Sequence, residues 1–187
     1  DVVRVHPIIT KGGDLVNSVP ADVRIETYVR AKTMEAIEAT HKKVDTALKA
    51  GGDAVGAQTV IATMPGQLPL ACNNRLNELF VTNAKIAEPN VAVKDAGHFS
   101  ASTDMGDVSH LLPVIHPFIG GVDGFLHTAD FHVVDFKHAV LLPAKAFAMM
   151  IIDLLADDAE LARQIKAEHH PLLTKEEYIA KLDKYFQ

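Results

Sequence analysis

The first 64 residues carry an order of strand and helix patterns that limits what the chain can fold into. Residues 2–10 form a β-rich run that ends at a glycine-containing turn. Residues 23–30 alternate apolar and polar side chains, and this period of two predicts a half-buried strand. Thr33 is the predicted cap of a helix that ends at a glycine pair, and residues 59–64 predict a third strand. The predicted order is strand, strand, helix, strand.

This order is part of a larger motif. A ferredoxin-like sandwich runs β-α-β-β-α-β, and residues 1–64 have its β-β-α-β portion. Without the first β-α unit a sheet edge or face lacks cover, which a stable domain normally avoids. We therefore predict a partial domain over residues 1–64. Because the chain opens directly on a strand pattern, we expect it to be trimmed or to be a piece of a longer protein.

Residues 65–187 show a second style of pattern, in which helices dominate. The predicted elements are helices at 73–87, 136–156 and 158–169 and an apolar strand at 114–119. A last helix begins at Thr174, and Glu177 three positions later completes a capping box. The predicted fold class is therefore α/β and α+β, with a partial β-β-α-β domain followed by a separate α/β region.

The charge balance excludes one class of partner. The chain has 18 Lys and Arg against 24 Asp and Glu, so its net charge is -6 at pH 7. No basic stripe is present to displace counterions from a phosphate backbone. We therefore predict no nucleic-acid partner.

The apolar segment and the single cysteine indicate the cellular compartment of the protein. The most apolar segment, 139–156, contains Pro143, Lys145 and Asp153. Because a membrane span rarely carries such residues, we predict a buried helix and no membrane partner. The single cysteine, Cys72, cannot form an internal disulfide, and no signal-peptide pattern is present, so a reducing, cytoplasmic location is predicted.

Histidines are frequent, with ten in 187 residues. Six of them lie within about forty positions: His98, His110, His116, His127, His132 and His138. Zinc takes imidazole and carboxylate ligands, but none of these histidines has the spacing of a self-contained site. His127 follows a glycine-rich loop, and glycine permits a tightly turned backbone there. A histidine at such a turn can direct its imidazole into a cleft. It is a candidate metal ligand, and an ordinary loop histidine is the alternative.

Other polar positions also have candidate roles. Asn17 lies in a predicted turn and can donate an amide hydrogen bond, and Arg30 ends a strand, where its planar guanidinium could grip a carboxylate. A turn-stabilising Asn and a solvated Arg are the alternatives. A serine hydrolase could use Ser102 or Ser109 together with His110 and Asp104, but no G-x-S-x-G nucleophile elbow is present.

Several segments, in order, resemble one enzyme family. Residues 12–21 and 26–31 resemble the lid, or dimerisation, domain of the M20 metallopeptidase and amidohydrolase family. Residues 64–74 resemble the return from that lid to the catalytic domain. Residues 102–110 and 127–128 are similar to the branch that contains aminobenzoyl-glutamate hydrolase and related dipeptidases. The resemblance covers essentially the whole chain, with a lid part at 1–64 and a catalytic part at 65–187.

The resemblance implies an amide hydrolase with two metal ions, usually zinc, in which a Glu moves the proton. His127 matches a metal-ligand histidine. Asn17 matches a lid asparagine near the oxyanion, and Arg30 matches a lid arginine at the substrate carboxylate. Thr103 and Asp104 match the substrate-side loop. The implied substrates are N-acyl amino acids or dipeptides, and the implied assembly is a homodimer through the lid.

The chain departs from the family pattern in the residues that would complete the metal site. It contains no His-x-Asp pair, and its only Glu-Glu, at Glu176 and Glu177, opens a C-terminal helix. We therefore predict the C-terminal half of such an enzyme, without most metal ligands or the general base, and inactive alone. The alternative is a non-catalytic binding or dimerisation module.

Overall fold

The computed structural model describes residues 3–95, 97 and 102–184, and it is a mixed α/β structure. Its strands are β1 (Arg4–Lys11), β2 (Arg24–Arg30), β3 (Val122–Asp123) and β4 (His132–Val133). Its helices are α1 (Met34–Ala54), α2 (Asn74–Ala87), α3 (Met105–Ser109), α4 (Leu142–Glu168) and α5 (Lys175–Asp183). The described residues divide into two compact units, one built mainly on 3–69 and the other on 70–95 and 103–181.

The first unit contains an antiparallel pair and one long helix. Strands β1 and β2 pair in a register that places Arg4 opposite Arg30, with an irregularity between Ile9 and Lys11. The Thr33 side chain accepts a hydrogen bond from the Ala36 amide at 3.3 Å, so it caps α1 as predicted. Apolar burial is slight in this unit.

The predicted third strand of this unit is not formed. Residues 59–64 lie in a stretch without regular structure, so the β-β-α-β prediction is wrong in its last element. In the described part of the chain β1 and β2 pair only with each other. Because a strand is stable only when a neighbour satisfies its amides and carbonyls, a β-rich sequence without a partner stays irregular.

The second unit is built on the packing of α2 against α4. Their contact buries an apolar cluster made of Leu76, Phe80, Ala84, Ala146, Met150 and Ile165. The Phe80 and Phe147 rings lie 4.8 Å apart between centroids, tilted by 52°. The buried Asn83 amide donates to Asp153 Oδ2 at 2.7 Å, so a polar pair crosses the same contact. This packing holds the loops of the unit in place.

The long helix α4 has a modified start and an internal break. A π-helical turn, Lys137–Leu141, precedes it, and Pro143 lies in its first turn. Proline lacks the amide hydrogen that a regular turn needs, which agrees with the wider turn before it. Backbone angles are not helical from Ala156 to Ala159, and three of these residues have positive φ. The predicted boundary between helices at 136–156 and 158–169 is thus confirmed.

The same helix is only partly buried, whereas a buried helix was predicted for residues 139–156. Lys137–Glu168 is long and apolar enough to cross a membrane by length and composition alone, and 17% of its most apolar window is buried. Core helices of globular proteins satisfy the same criterion. One face of α4 packs on α2, and the adjacent apolar face is exposed.

The predicted strand at 114–119 is also wrong. This segment has no ladder partner among the described residues, although Val114 is buried and its carbonyl accepts from the Asn73 amide at 2.8 Å. By contrast, the predicted capping box at the start of α5 is confirmed. Thr174 Oγ1 accepts from the Glu177 amide at 3.2 Å, and Glu177 Oε2 accepts from the Thr174 amide at 2.7 Å.

Candidate functional site

His127 lies in the connection between β3 and β4. The two strands form a short ladder with Val122 opposite Val133. Gly124 has φ +85, and a Cβ there would lie 2.6 Å from the Asp130 carbonyl oxygen. Only glycine allows the chain to approach itself this closely while adopting a positive φ. The connection is therefore tightly folded around its glycine, as the glycine-rich pattern predicted.

The backbone at His127 is itself unusual. His127 has φ +66, a left-handed conformation that is uncommon for residues other than glycine. It occupies the third position of a turn closed by hydrogen bonds from the Thr128 amide and Thr128 Oγ1 to the Phe125 carbonyl, at 3.2 and 2.6 Å. The side chain is exposed. The turn thus holds His127 in a strained conformation and presents its imidazole outward.

Neighbouring polar groups of this connection hold the backbone. Thr128 Oγ1 also hydrogen-bonds Asp130 Oδ1, and His132 Nδ1 lies 2.6 Å from the Asp130 carbonyl oxygen. His132 therefore has a local structural role. His132 is exposed, as His127 is, but its ring contacts a backbone carbonyl.

Thr103 and Asp104 are placed together at the start of α3. Asp104 Oδ1 accepts from the Met105 amide at 3.1 Å and from Thr103 Oγ1 at 3.2 Å. These bonds fix the Asp104 carboxylate against the backbone, and the exposed side leaves room for further donors. In the part of the second unit that the structure describes, no hydrogen bond joins either residue to His127.

Contacts from distant segments hold α3 in position. The fully buried Ser109 hydroxyl donates to the Gly106 carbonyl at 2.5 Å and accepts from the Ala71 amide at 3.0 Å. The Tyr178 hydroxyl of α5 donates to Asp107 Oδ1 at 3.2 Å, and burial raises the pKa of this phenol. Because Ser109 is occupied in this way, it anchors the loop and is unsuited to be a nucleophile.

The sequence interpretation missed one carboxylate–imidazole pair, Asp135 and His138. Asp135 Oδ2 lies 2.5 Å from His138 Nδ1, and Asp135 Oδ1 accepts from the His138 amide at 3.2 Å. These hydrogen bonds from His138 hold the pKa of the Asp135 carboxyl below its ordinary value. The spacing of three residues at a helix start was the available signal. The pair caps the π-helical turn.

The two predicted residues of the first unit occupy a loop and a strand end. Asn17 is exposed at the third position of the turn that the Ser18 amide closes onto the Leu15 carbonyl, at 3.3 Å. Arg30 ends β2, where its guanidinium carbon lies 5.3 Å from the centroid of the Tyr28 ring. This cation–π contact places the guanidinium over the aromatic ring.

The described residues do not fit a two-metal site. No group of three or more His, Cys, Asp or Glu side chains that could hold an ion occurs within 3–95, 97 and 102–184. His98, one of the clustered histidines, lies outside the described residues. Structural and catalytic zinc sites take three or four protein ligands. His127 is thus a single candidate donor without the remaining ligands.

Comparison with known proteins adds a relationship that the geometry alone does not give. The chain is 31% identical over 166 residues to Xaa-Arg dipeptidase of Mus musculus, which covers 84% of this chain and 38% of that protein. It is 27% identical over 184 residues to Xaa-Arg dipeptidase of Homo sapiens, which covers 94% and 42%. This chain is a distant homologue of Xaa-Arg dipeptidase. It spans about two-fifths of the length of both relatives.

The homology to Xaa-Arg dipeptidase supports the predicted relation to a peptidase family at a coarse level. No model of a known protein family matches the chain. The predicted branch, the domain division at residue 64, the roles of the five site residues and the homodimer stay predictions. Because this chain matches less than half of Xaa-Arg dipeptidase, the activity of the full-length relative is only proposed for this chain.

Proposed function

We propose that this chain is the C-terminal portion of an M20-type peptidase or amidohydrolase that cleaves amide bonds of dipeptides or N-acyl amino acids. The observation that carries the proposal is the homology to Xaa-Arg dipeptidase over 84% and 94% of the chain. The strained, outward-facing His127 adds support, because strain at a polar residue is typical of functional positions.

Each predicted residue has a role that its local geometry permits. Arg30, stacked on Tyr28, would hold the substrate carboxylate by paired hydrogen bonds. Asn17 would donate its amide to the oxygen of the cleaved bond. Thr103 and Asp104, whose carboxylate is fixed by its own backbone, would belong to a loop on the substrate side. The residues that the structure describes supply no cluster of ligands around His127, so the remaining zinc ligands and a general base would have to come from other parts of the enzyme.

A chimera tests this function directly. We would replace the matched portion of mouse Xaa-Arg dipeptidase with this chain and assay hydrolysis of Xaa-Arg dipeptides. The chimera should be active, and His127→Ala should remove the activity, whereas His132→Ala should retain most of it because His132 only braces the turn. A folded, zinc-loaded chimera that cleaves neither dipeptides nor N-acyl amino acids would contradict the proposal.

The isolated chain should bind little zinc. A single imidazole from His127 is a weak ligand, and the described residues supply no complementary cluster. After dialysis against micromolar zinc, elemental analysis should give far less than one zinc per chain. Two equivalents retained after dialysis, and lost in His127→Ala, would show that the chain builds the metal site alone.

A second candidate is a non-catalytic dimerisation module. It is favoured by the apolar side chains that the first unit exposes, among them Ile8 and Ile9 on opposite faces of β1 and Val16 in the loop that follows. Light scattering during gel filtration distinguishes the two. A dimer that Val16→Asn disrupts, with an inactive chimera, would support the module.

A further inference from the structure

The pairing of β1 with β2 places two arginines side by side. Arg4 of β1 lies directly opposite Arg30 of β2, and His6 lies directly opposite Tyr28. Opposed residues of an antiparallel pair share a face of the sheet, with Cβ atoms about 5 Å apart, and so do residues two apart on one strand. The contact between the Arg30 guanidinium and the Tyr28 ring agrees with this placement. We call Arg4, His6, Tyr28 and Arg30 the arginine face.

The two arginines oppose the pairing that brings them together. Like charges at directly opposed positions destabilise a strand pair. A guanidinium group is not deprotonated in a protein, so a change of protonation cannot relieve this repulsion. Arg4 is exposed and forms no ion pair with any residue of 3–95, 97 or 102–184. The described chain thus leaves the Arg4 charge without a carboxylate.

The other end of the same strand pair shows how such charges are usually neutralised. Lys11 Nζ and Arg24 Nη2 lie 3.0 and 2.9 Å from Asp22 Oδ2, so one carboxylate serves two cations. β1 has no acidic residue, and the acidic residue of β2 is Glu26, four positions before Arg30. An extended strand places these two positions about 13 Å apart, which exceeds the Debye length of about 8 Å in physiological salt. Glu26 therefore does not neutralise the arginine face.

An oxyanion between the two guanidiniums would turn repulsion into attraction. Each planar guanidinium presents paired N–H donors that match the two oxygens of a carboxylate. Proteins break local pairing rules of this kind mainly at functional sites. We propose that Arg4 is a further substrate-binding residue, which acts together with Arg30 on one carboxylate of the substrate. This inference rests on the proposed function, in which Arg30 alone was assigned to that group.

The pair of arginines determines which substrates are accepted. A free carboxylate next to the cleaved bond supplies the charge that Arg4 and Arg30 both need. The corresponding amide carries no charge and leaves the repulsion in place. A substrate with a free C-terminal carboxylate should therefore bind better than its C-terminal amide, and Arg4 should contribute to the difference.

Titration of the full chain with N-acetylglycine tests the site without catalysis. N-acetylglycinamide, which lacks the carboxylate, is the ligand control, and ionic strength is held constant with sodium chloride. NMR signals of the arginine-face amides should shift to saturation with N-acetylglycine and not with the amide. Arg4→Gln should weaken binding about 10-fold. The matched control is Arg24→Gln, at the end where Asp22 neutralises the charge, and it should bind like wild type.

The stability of the strand pair gives a second readout, with a sign that separates binding from a structural role. Without ligand, Arg4→Gln should slow amide hydrogen exchange in β1 and β2, because the repulsion from Arg30 is removed. Sodium chloride should reduce the difference from wild type by screening. Arg24→Gln should not slow exchange, because it removes a favourable contact with Asp22. Faster exchange in Arg4→Gln would show that Arg4 stabilises the strands and would overturn the proposal.

Three binding results would also overturn it. One is equal affinity of wild type and Arg4→Gln for N-acetylglycine. Another is an equal loss in Arg24→Gln, which would show a general attraction of anions to positive charge. The third is saturable binding of inorganic phosphate without binding of N-acetylglycine, which would assign the arginine face to a phosphate ligand.

The chimera with mouse Xaa-Arg dipeptidase separates this inference from the proposed function. Arg4→Gln should raise the KM for a dipeptide about 10-fold and leave the KM for the dipeptide amide unchanged. An inactive chimera, with N-acetylglycine binding intact in the chain, would contradict the proposed function and uphold the carboxylate site. An active chimera with the same KM values in wild type and Arg4→Gln would do the reverse.

Discussion

The Asp135–His138 pair before α4 predicts that the stability of the protein depends on pH. The hydrogen bonds from His138 lower the pKa of Asp135, so this carboxylate adds stability above its ordinary pKa. That contribution should be lost as the pH falls through the lowered value in the folded protein. In His138→Gln, the Asp135 pKa measured by carboxyl NMR titration should move up towards its ordinary value. His132→Gln is the control because His132 contacts a backbone carbonyl, and an unchanged Asp135 pKa in His138→Gln would refute the assignment.

Another residue prediction concerns the capping box of α5. Thr174→Ala removes the hydroxyl that accepts from the Glu177 amide, which should cost about 1 kcal/mol of folding free energy. Urea unfolding measures the difference. Thr82→Ala is the matched control, because the Thr82 hydroxyl bonds only the Glu78 carbonyl within α2, where alanine is a better helix former. Equal losses in both variants would mean that the cap adds nothing.

Sequence reasoning worked best where the deciding contacts were local. Thr33 and Thr174 could be predicted as caps because a cap contacts only nearby residues. In the structure each threonine accepts a hydrogen bond from an amide three residues later. The turn at His127 followed from nearby glycines. The Asp135–His138 pair was missed although its spacing was visible, and the anchoring of Ser109 to Ala71 spans 38 positions, which no local pattern reveals.

At the scale of elements, the join between β3 and the π-helical turn depends on one glycine. A Cβ at Gly121 would lie 2.6 Å from the Asp135 carbonyl oxygen, and its φ is +88. Gly121→Ala should therefore destabilise the protein by about 1–3 kcal/mol. Gly120→Ala is the control, since nothing lies within 4 Å of its Cβ position. Unfolding of both variants in urea checks the difference, and equal stabilities would contradict this geometry.

Helices were predicted more faithfully than strands for a physical reason. The spacing of apolar residues and caps in α2 and α5 is contained in each element. The strands predicted at 59–64 and 114–119 needed partners far away in sequence, and the described chain provides none. A β-rich composition therefore indicates that a segment can form a strand if a partner is present. Whether a partner is present depends on residues far away in the sequence.

Across the whole molecule, the two units differ in how much apolar surface they bury. Buried apolar side chains concentrate on α2 and α4, whereas Ala31 is the sole one among the described residues of the first unit. Amide hydrogens of β1, β2 and α1 should therefore exchange faster than those of α2 and of α4 before its break. Hydrogen exchange followed by mass spectrometry measures this, and equal protection of the two units would show that the first unit is stabilised by contacts other than apolar burial.

The left-handed backbone of His127 sets a practical limit on engineering this protein. Glycine would adopt that geometry with less strain. A redesign guided by folding energy alone would therefore tend to replace His127 with glycine. Protecting this one position during stabilisation would keep the side chain that we propose as a metal ligand.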